Sequence, residues 1–276
     1  MWQLDLHRPP LRSPQGEPLW EFLACDADLD FCYEAQIAQG SVNADWVTEQ
    51  VQAAMAQAGY APEKVQVFRP NALSLLTLAA EKLGLTLMPT RYTPALHEWL
   101  RQKAQDYPTL ANYSGVVYDP LHLDSPPPLP LAENLWGDRW GFVTLAAGDF
   151  ERTFPYEPIP IAQLPPDWLP SKLGLASTIP LPGIVIDGGR QAMALAQWVQ
   201  SVTPAALRYM AGDPDGLILD AGLCDRWVMT TFTDSTMAQA GQLFEQRKVA
   251  SQGLHFLLVR PDDSGMTHTG LWLLRG

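Results

Sequence analysis

Hydrophobic and polar positions in the first hundred residues alternate with the periods of strands and helices. Apolar stretches at 2–6 and 19–25, separated by prolines and Gly16, predict two strands joined by a turn-rich connection. Apolar residues three and four apart then predict a helix from about Asn43, and Thr93 followed by Pro94 predicts the N-cap and first turn of another. Further elements are predicted at 65–68 (strand), 71–82 (helix) and 85–88 (strand). This order is typical of a mixed α/β layer.

The last third of the chain has the same two periods. Residues 183–186 predict a buried strand that breaks at Asp187-Gly188-Gly189 into a helix. We interpret these three residues as a tight turn with a capping aspartate; a backbone cradle for a phosphate is the alternative. Asp234 predicts the N-cap of a second helix. Further strands are predicted at 207–210, 217–219, 227–232, 254–259 and 269–274.

The middle of the chain differs in composition. Residues 120–182 contain 13 of the 25 prolines, and residues 106–182 carry 3 basic and 9 acidic side chains. This composition predicts a proline-stiffened surface connector, with one strand at 140–147. A docking site for a partner protein is the alternative.

Together these patterns predict an α/β (α+β) protein with two mixed-sheet units. The expected segments are an N-terminal unit at 1–105, the connector at 106–182 and a C-terminal unit at 183–276. Each unit contains a strand–helix–strand run that ends in an Arg-Pro pair, Arg69-Pro70 in the first and Arg260-Pro261 in the second. A diverged duplication would explain this layout.

The charge balance limits the partners. The 276 residues include 18 Lys and Arg against 30 Asp and Glu, which gives a net charge of −12. Because binding RNA by bulk charge needs a basic surface, any nucleic-acid contact must use a local patch. Residues 183–276, with 7 basic and 9 acidic side chains, are closer to neutrality than the middle, and we expect the patch there.

Targeting and metal signals are absent from the pattern. The first residues match neither a signal peptide nor a transit peptide, and no apolar run approaches the ~20 residues of a membrane-spanning helix. The spacings of Cys25, Cys32 and Cys224 match no common zinc site. Three cysteines in a chain of this size predict a reducing compartment, no structural metal and no cofactor.

Candidate catalytic patterns are incomplete. The sequence has no Gly-x-Ser-x-Gly elbow and no P-loop. Asp215 and Asp220 flank a short strand as the metal-binding acids of a nuclease motif do, but Gly222 stands where that motif needs a lysine. We therefore interpret both acids as turn residues and expect no enzyme activity, with a degenerate metal-dependent nuclease as an alternative.

One C-terminal strand has features of RNA recognition. Proteins that bind single-stranded RNA stack bases on aromatic side chains beside basic residues. Residues 252–259 share a glycine and one phenylalanine with the RNP-1 strand but lack its basic residue and second aromatic. Alternation places residues 254, 256 and 258 on one face, and His255 with Leu257 on the other. If the strands are neighbours, Trp227, Trp272 and Arg260 lie nearby; core packing is the alternative for each tryptophan.

Nine short segments, in order along nearly the whole chain, carry a family resemblance. They are WQLD (2–5), LWE (19–21), VFRP (67–70), NLWG (134–137), LGLAS (173–177), IDGGRQ (186–191), GLCDRW (222–227), FEQRK (244–248) and GLHFL (253–257). The sequence resembles the TAB/ATAB family of cyanobacteria and of algal and plant chloroplasts. The resemblance implies an RNA-binding factor needed for translation of the photosystem I subunit PsaB and for photosystem biogenesis.

The resemblance also implies a compartment and partners. Chloroplast members carry transit peptides, whereas this sequence begins directly at the matching Trp2, so we expect a cyanobacterial, cytoplasmic member. The expected partners are RNA, with the psaB 5′ leader as target, and photosystem assembly or ribosomal proteins. A protein-interaction factor without direct RNA binding is the alternative, suggested by the net charge and the proline-rich middle.

Residue types in the C-terminal third give the candidate RNA-binding site. The candidates for contacts with phosphates or base edges are Arg190, Gln191, Arg226, Arg247, Lys248 and Arg260. The candidates for stacking are Trp227, His255 and Trp272.

Overall fold

A computed structural model describes residues 1–123 and 126–276, and the chain divides into two units, Met1–Asp124 and Ser125–Gly276. The sequence instead predicted three segments. Residues 126–182 contribute three complete strands and a helix, so the expectation of a connector with one strand is wrong for them. Most of their prolines lie in the irregular segments and short helical turns between these elements, where a missing N–H costs no ladder hydrogen bond.

The N-terminal unit is a five-stranded mixed sheet with the order β3-β2-β1-β4-β5. Strands β1, β2 and β3 are antiparallel neighbours, whereas β4 and β5 run parallel to β1. The elements are β1 (Trp2–His7), β2 (Leu19–Asp26), β3 (Cys32–Ala38), α1 (Ala44–Ala58), β4 (Lys64–Val67), α2 (Leu73–Leu83), β5 (Thr86–Pro89) and α3 (Pro94–Asp106). Strand β3 was missed because it is an edge strand of half-exposed, partly polar residues.

Alternation along β1 sends its side chains to two different layers. Trp2, Leu4 and Leu6 belong to the apolar cluster that α1 and α2 complete. The intervening Gln3 and Asp5 are also buried, on the face that α3 covers. Both faces of β1 are therefore interior, and its polar side chains need partners there.

Helix starts confirm the predicted cap at Asp234, add one at Asn43 and correct the one predicted at Thr93. The side chains of Asn43 and Asp234 accept hydrogen bonds from the first turns of their helices. Thr93 makes no side-chain cap to α3. The amide oxygen of Gln3 accepts the hydrogen bond from Leu96 N at 2.8 Å instead. A side chain from a neighbouring strand thus does what the local Thr93 was expected to do.

The C-terminal unit contains two sheets. One has the order β10-β11-β12-β6, and the other has the order β7-β9-β13-β14-β8. The elements are β6 (Leu129–Pro130), β7 (Arg139–Ala146), α4 (Ala147–Thr153), β8 (Ile161–Gln163), β9 (Pro180–Asp187), α5 (Ala192–Ser201), β10 (Pro204–Met210), β11 (Asp215–Ala221), β12 (Asp225–Phe232), α6 (Ser235–Ala250), β13 (Leu254–Arg260) and β14 (Gly270–Arg275).

Apolar clusters cover both faces of the five-stranded sheet. Leu257 and Val259 of β13 join a cluster with α5 and strands β10–β12. Residues 254, 256 and 258 join a second cluster with Phe150 and Phe154. The predicted alternation along β13 is confirmed, but neither face of this strand is open to solvent.

The two strand–helix–strand runs have different topologies. Strands β2 and β4 lie in one sheet, whereas β12 and β13 lie in two different sheets. The two runs therefore do not share the common topology that the suggested duplication would give them. Among residues 1–123 and 126–276, no helix is both long and apolar enough to cross a membrane.

Candidate nucleic-acid interface

Two of the sequence segments that carried the resemblance, 134–137 and 186–191, meet the Arg260-Pro261 pair at one end of the five-stranded sheet of the C-terminal unit. We call residues 134–140, 186–191 and 260–261 the motif edge. Strand β9 ends there at Asp187, directly opposite Arg139 of β7 on one side and Arg260 of β13 on the other. The Arg260 Nε donates to Asp187 Oδ1 at 2.6 Å, and a guanidinium nitrogen of Arg139 lies 3.5 Å from Oδ2. One carboxylate thus fixes two arginines from neighbouring strands.

Backbone hydrogen bonds hold the three segments of the motif edge together. Asp138 N donates to Asp187 O at 2.7 Å, and Gly188 N donates to Arg260 O at 2.8 Å. Gly189 N donates to Pro261 O at 3.0 Å and has a φ of +52°, which favours glycine. The Asp187 side chain pairs with arginine rather than capping the helical turn Gly189–Gln191, so the expected capping role is wrong.

At Gly137, residues 134–140 pack closely against the end of β9. A Cβ at this position would lie 2.5 Å from Ile186 Cγ2 and 3.0 Å from Asp187 O. We expect Gly137→Ala to lower the free energy of unfolding by about 1–3 kcal/mol, because the neighbouring strand must move. Urea denaturation measures the change. Gly141→Ala is the matched control, since a Cβ there meets nothing within 4 Å; equal stability of the two variants would contradict the prediction.

Beside the motif edge lies a cavity of about 420 Å³ with mainly apolar walls. Trp136, Arg139 and Trp140 line it together with residues of β6, β11 and β12. The Trp136 side chain is 56% exposed, and its Nε1 donates to Leu131 O at 3.1 Å, which fixes the ring. Arg139 has a side chain 65% exposed. An exposed aromatic ring and a guanidinium at the mouth of an apolar cavity are the groups on which an unpaired base stacks.

Three of the nine predicted site residues belong to the motif edge. Arg190 and Gln191 are exposed, and Arg260 is partly exposed beside them in the ion pair with Asp187. The edge also carries negative charge, since Asp138 is exposed and Asp263 pairs with Arg139. RNA bound at this edge would therefore be held by stacking and directed hydrogen bonds more than by net charge.

Three other predicted residues are partly exposed elsewhere in the unit. Arg226, near the start of β12, lies 3.7 Å from Asp220, and Arg247 donates to Thr144 Oγ1. The ring of Trp227 packs edge-on against Trp198 at 5.3 Å. None of the three lines the cavity.

The remaining three predicted residues are buried, which corrects their proposed roles. Trp272 and His255 are 0% exposed, and Lys248 is 6% exposed. Trp272 lies in the cluster between the two sheets, and the Lys248 ammonium donates to Leu207 O at 2.7 Å. Neither ring can stack on a base from solvent, because both faces of the β13–β14 sheet are covered.

The geometry also separates the two acids of the nuclease-like pattern. Asp215 and Asp220 lie at the two ends of β11, roughly 16 Å apart along the strand and, five residues apart, on opposite faces. Asp220 lies between Arg208, at 2.5 Å, and Arg226. In the described part of the chain, no group of three or more His, Cys, Asp or Glu side chains is arranged to hold a metal ion.

Sequence reasoning missed Trp136, Arg139 and Trp140. Trp136 lies inside the NLWG segment that carried the resemblance, but candidates were drawn from residues 183–276 because that segment is nearly neutral. The available signal was a Trp-Gly-Asp-Arg-Trp run, in which a basic residue is interleaved with two tryptophans. The local sequence therefore contained these candidate residues, but selection by the net charge of whole segments excluded them.

Comparisons with known proteins match both units of the chain. The family model described as "RNA-binding protein Tab2/Atab2 N terminal" matches residues 1–103, and that of the C-terminal domain matches residues 118–275. The chloroplastic protein TAB2 homologue of Zea mays is 28% identical over 99% of this chain and 70% of its own length. The Arabidopsis thaliana homologue is 27% identical over 99% of this chain and 74% of its own.

A comparison with solved structures adds no argument about the fold. A chain in the cryo-EM structure of a simian T-cell lymphotropic virus intasome with PP2A regulatory subunit B56 gamma aligns at 14% identity. The alignment covers 51% of this chain and 60% of that chain, with a TM-score of 0.26.

The matching family models place this two-unit α+β chain in the class of RNA-binding proteins. The family matches extend over both units. This chain belongs to the Tab2/Atab2 family of RNA-binding proteins.

Proposed function

We propose that the protein is an RNA-binding factor that supports translation of the photosystem I subunit PsaB and photosystem biogenesis. The proposal takes the psaB 5′ leader as the target and the cytoplasm of a cyanobacterium as the compartment in which that message is translated. Family membership and the chloroplastic TAB2 homologues support the general role.

One observation carries the assignment of the RNA site to the motif edge. Two of the family segments and the Arg260-Pro261 pair converge there, and they present exposed Trp136 beside Arg139 at the mouth of an apolar cavity. In this arrangement a base stacks on the Trp136 ring, and the guanidiniums of Arg139 and Arg190 donate to phosphate or base-edge oxygens.

The test is titration of the full chain with the psaB 5′ leader and with a scrambled RNA of equal length. We expect Trp136→Ala to weaken leader binding by roughly 5- to 150-fold, because loss of one base–aromatic stack costs about 1–3 kcal/mol. Tyr156→Ala is the matched control, since Tyr156 is an 83% exposed aromatic of the same unit that does not line the cavity. Equal losses in the two variants would remove the motif edge from the proposal.

The salt dependence separates specific recognition from bulk attraction. Each phosphate neutralised on a single strand contributes about −0.7 to the slope of log K against log salt concentration. With Arg139, Arg190 and Arg260 offset by neighbouring aspartates, we expect a shallow slope of about −1 to −2. A steep slope with equal binding to both RNAs would contradict sequence-specific recognition. Failure to bind either RNA would favour the protein-interaction alternative, and lysate pull-downs with and without RNase would then identify partners that need no RNA.

A further inference from the structure

A second cavity, of about 480 Å³, lies in the N-terminal unit at the carboxyl ends of parallel strands β1 and β4. In the order β3-β2-β1-β4-β5, the chain adds β2 and β3 on one side of β1 and then adds β4 and β5 on the other side. The point at which the chain changes sides lies between β1 and β4. In open α/β sheets, ligands bind in the crevice at such a reversal, outside the carboxyl ends of the strands. The cavity is also large enough for a nucleotide-sized ligand.

Donors for an anionic group surround the opening. Arg8, directly after β1, is exposed and forms no ion pair in the described part of the chain. The helical turn Pro70–Ala72 follows β4 and leads into α2, so a helix N-terminus with its positive partial charge opens at the same place, where Asn71 is exposed. The acidic residue Asp119 also lines the cavity and repels an anionic group. An anionic group of a ligand is therefore expected beside Arg8 and Asn71.

Aromatic side chains line the same cavity. Trp20 and Tyr118 both contribute, and the rings of His7 and Tyr118 stack at 6.2 Å and 21°. The Trp20 Nε1 is shielded from solvent and has no hydrogen-bond partner within the described residues. A buried donor without a partner is costly, so this N–H is a group that a ligand acceptor would satisfy.

A buried network of ionisable groups fixes the floor of the cavity. The His7 ring lies between two carboxylates, 3.2 Å from Asp5 Oδ2 and 3.4 Å from Glu21 Oε2. Arg69 donates to both oxygens of Asp5, and Tyr107 donates to Glu21 at 2.5 Å. Burial raises the pKa of Asp5, but Arg69 and His7 outweigh it and lower that pKa to about 2. Such concentrations of buried charge under a cavity are typical of functional sites.

We propose that this cavity binds a nucleoside 5′-phosphate unit, with Arg8 and Asn71 on the phosphate and Trp20 Nε1 donating to the base or ribose. The unit is either a residue of the bound RNA or a free nucleotide. For the RNA source, the inference rests on the function proposed above and gives the protein a second RNA contact in its N-terminal unit.

The first experiment titrates the full chain with AMP, GMP, CMP and UMP, with the corresponding nucleosides and with inorganic phosphate, followed by isothermal calorimetry. We expect a monophosphate to bind more tightly than its nucleoside, and Arg8→Ala to weaken it by about tenfold. Arg101→Ala is the matched control, since Arg101 is an exposed arginine of the same unit outside the cavity. Absence of binding by every nucleotide, together with unchanged RNA affinity in Arg8→Ala, would overturn the proposal.

Trp20→Phe gives an independent readout. Because Nε1 has no protein partner among the described residues, this variant breaks no hydrogen bond within them and keeps an aromatic ring against the neighbouring apolar cluster, so we expect a folded protein with weakened nucleotide binding. Nucleotide affinity equal to that of the parent protein would remove Trp20 from the site and contradict the proposed contact.

RNA affinity, measured in the same variants, distinguishes a nucleotide of the bound RNA from a free nucleotide as the ligand of this cavity. Loss of both nucleotide and RNA binding in Arg8→Ala identifies a residue of the RNA, whereas loss of nucleotide binding alone identifies a free nucleotide. Trp136→Ala tests the motif edge separately, so failure of the N-terminal site leaves that result standing, and failure of the motif edge leaves the mononucleotide result standing.

Discussion

Asp5→Ala is expected to lower the free energy of unfolding by about 3–5 kcal/mol, the typical loss when one partner of a buried ion pair is removed. Asp5 is 0% exposed, and its carboxylate accepts hydrogen bonds from Arg69 Nε at 2.9 Å and from Leu6 N at 2.9 Å. Without it, the Arg69 guanidinium keeps hydrogen bonds to two carbonyl oxygens, Pro120 O and His122 O, and loses the carboxylate that neutralises its largely buried charge.

A double variant distinguishes loss of a charge partner from loss of packing. In Asp5→Leu with Arg69→Met, both charges are gone, and we expect less destabilisation than in Asp5→Ala alone. Urea denaturation followed by circular dichroism measures all three proteins. A double variant at least as unstable as the single one would mean that the ion pair is not the source of the effect.

Acidification is expected to destabilise the protein through His255 by about 3 kcal/mol between pH 7 and pH 4. Leu207 N donates to His255 Nε2 at 2.8 Å, so the ring is neutral with its proton on Nδ1, which donates to Gly253 O. Burial, with smaller contributions from Lys248 and Arg208, lowers the pKa of His255 to about 3. Protonation of Nε2 would break the hydrogen bond to Leu207.

The sign follows from which state binds the proton. The unfolded chain takes up a proton on this histidine below about pH 6.5, whereas the folded protein does not until about pH 3. The contribution to the free energy of unfolding is therefore complete above pH 6.5 and falls as the pH drops towards 3. Glu245 is an acidic group that forms an ion pair with Lys248, one of the cations that lower the pKa of His255.

His255→Gln removes the titration. Its free energy of unfolding should be lower than that of the parent protein at pH 7, and the difference should shrink as the pH falls to 4. Burial also lowers the pKa of His97, to about 4, but that group is present in both proteins and cancels. Exposed His122→Gln is the control. A stability difference between parent and His255→Gln that stays constant with pH would contradict the prediction.

The placement of polar residues on β1 illustrates where sequence reasoning stops. Alternation in 2–6 predicts a strand with Trp2, Leu4 and Leu6 on one face. The same alternation places the polar residues Gln3 and Asp5 on the other face, which would be interpreted as exposed to solvent. Helix α3, about ninety residues later in the chain, buries that face. Pattern identifies which side chains share a face; it contains no information about a distant element that covers it.

The same limit separates the two sets of RNA candidates. By residue type alone, Trp272 and His255 are as good candidates for base stacking as an aromatic residue on the surface. The apolar clusters on both faces of their sheet bury them. Trp136 is exposed because it lies between the short helical turn Glu133–Leu135 and β7, at the end of the sheet. Exposure depends on which sheets and helices pack together, and no local period reports that.

The sequence by itself determined the family, most helices and strands, and the segments that form the motif edge, because these depend on local periodicity and short motifs. Only the tertiary structure decided that residues 126–182 belong to the sheets of the second unit, that Arg139, Arg190 and Arg260 share one edge, and that Lys248 is internal. These outcomes depend on non-local strand pairing, in which residues far apart in the chain become neighbours and buried polar groups find their partners.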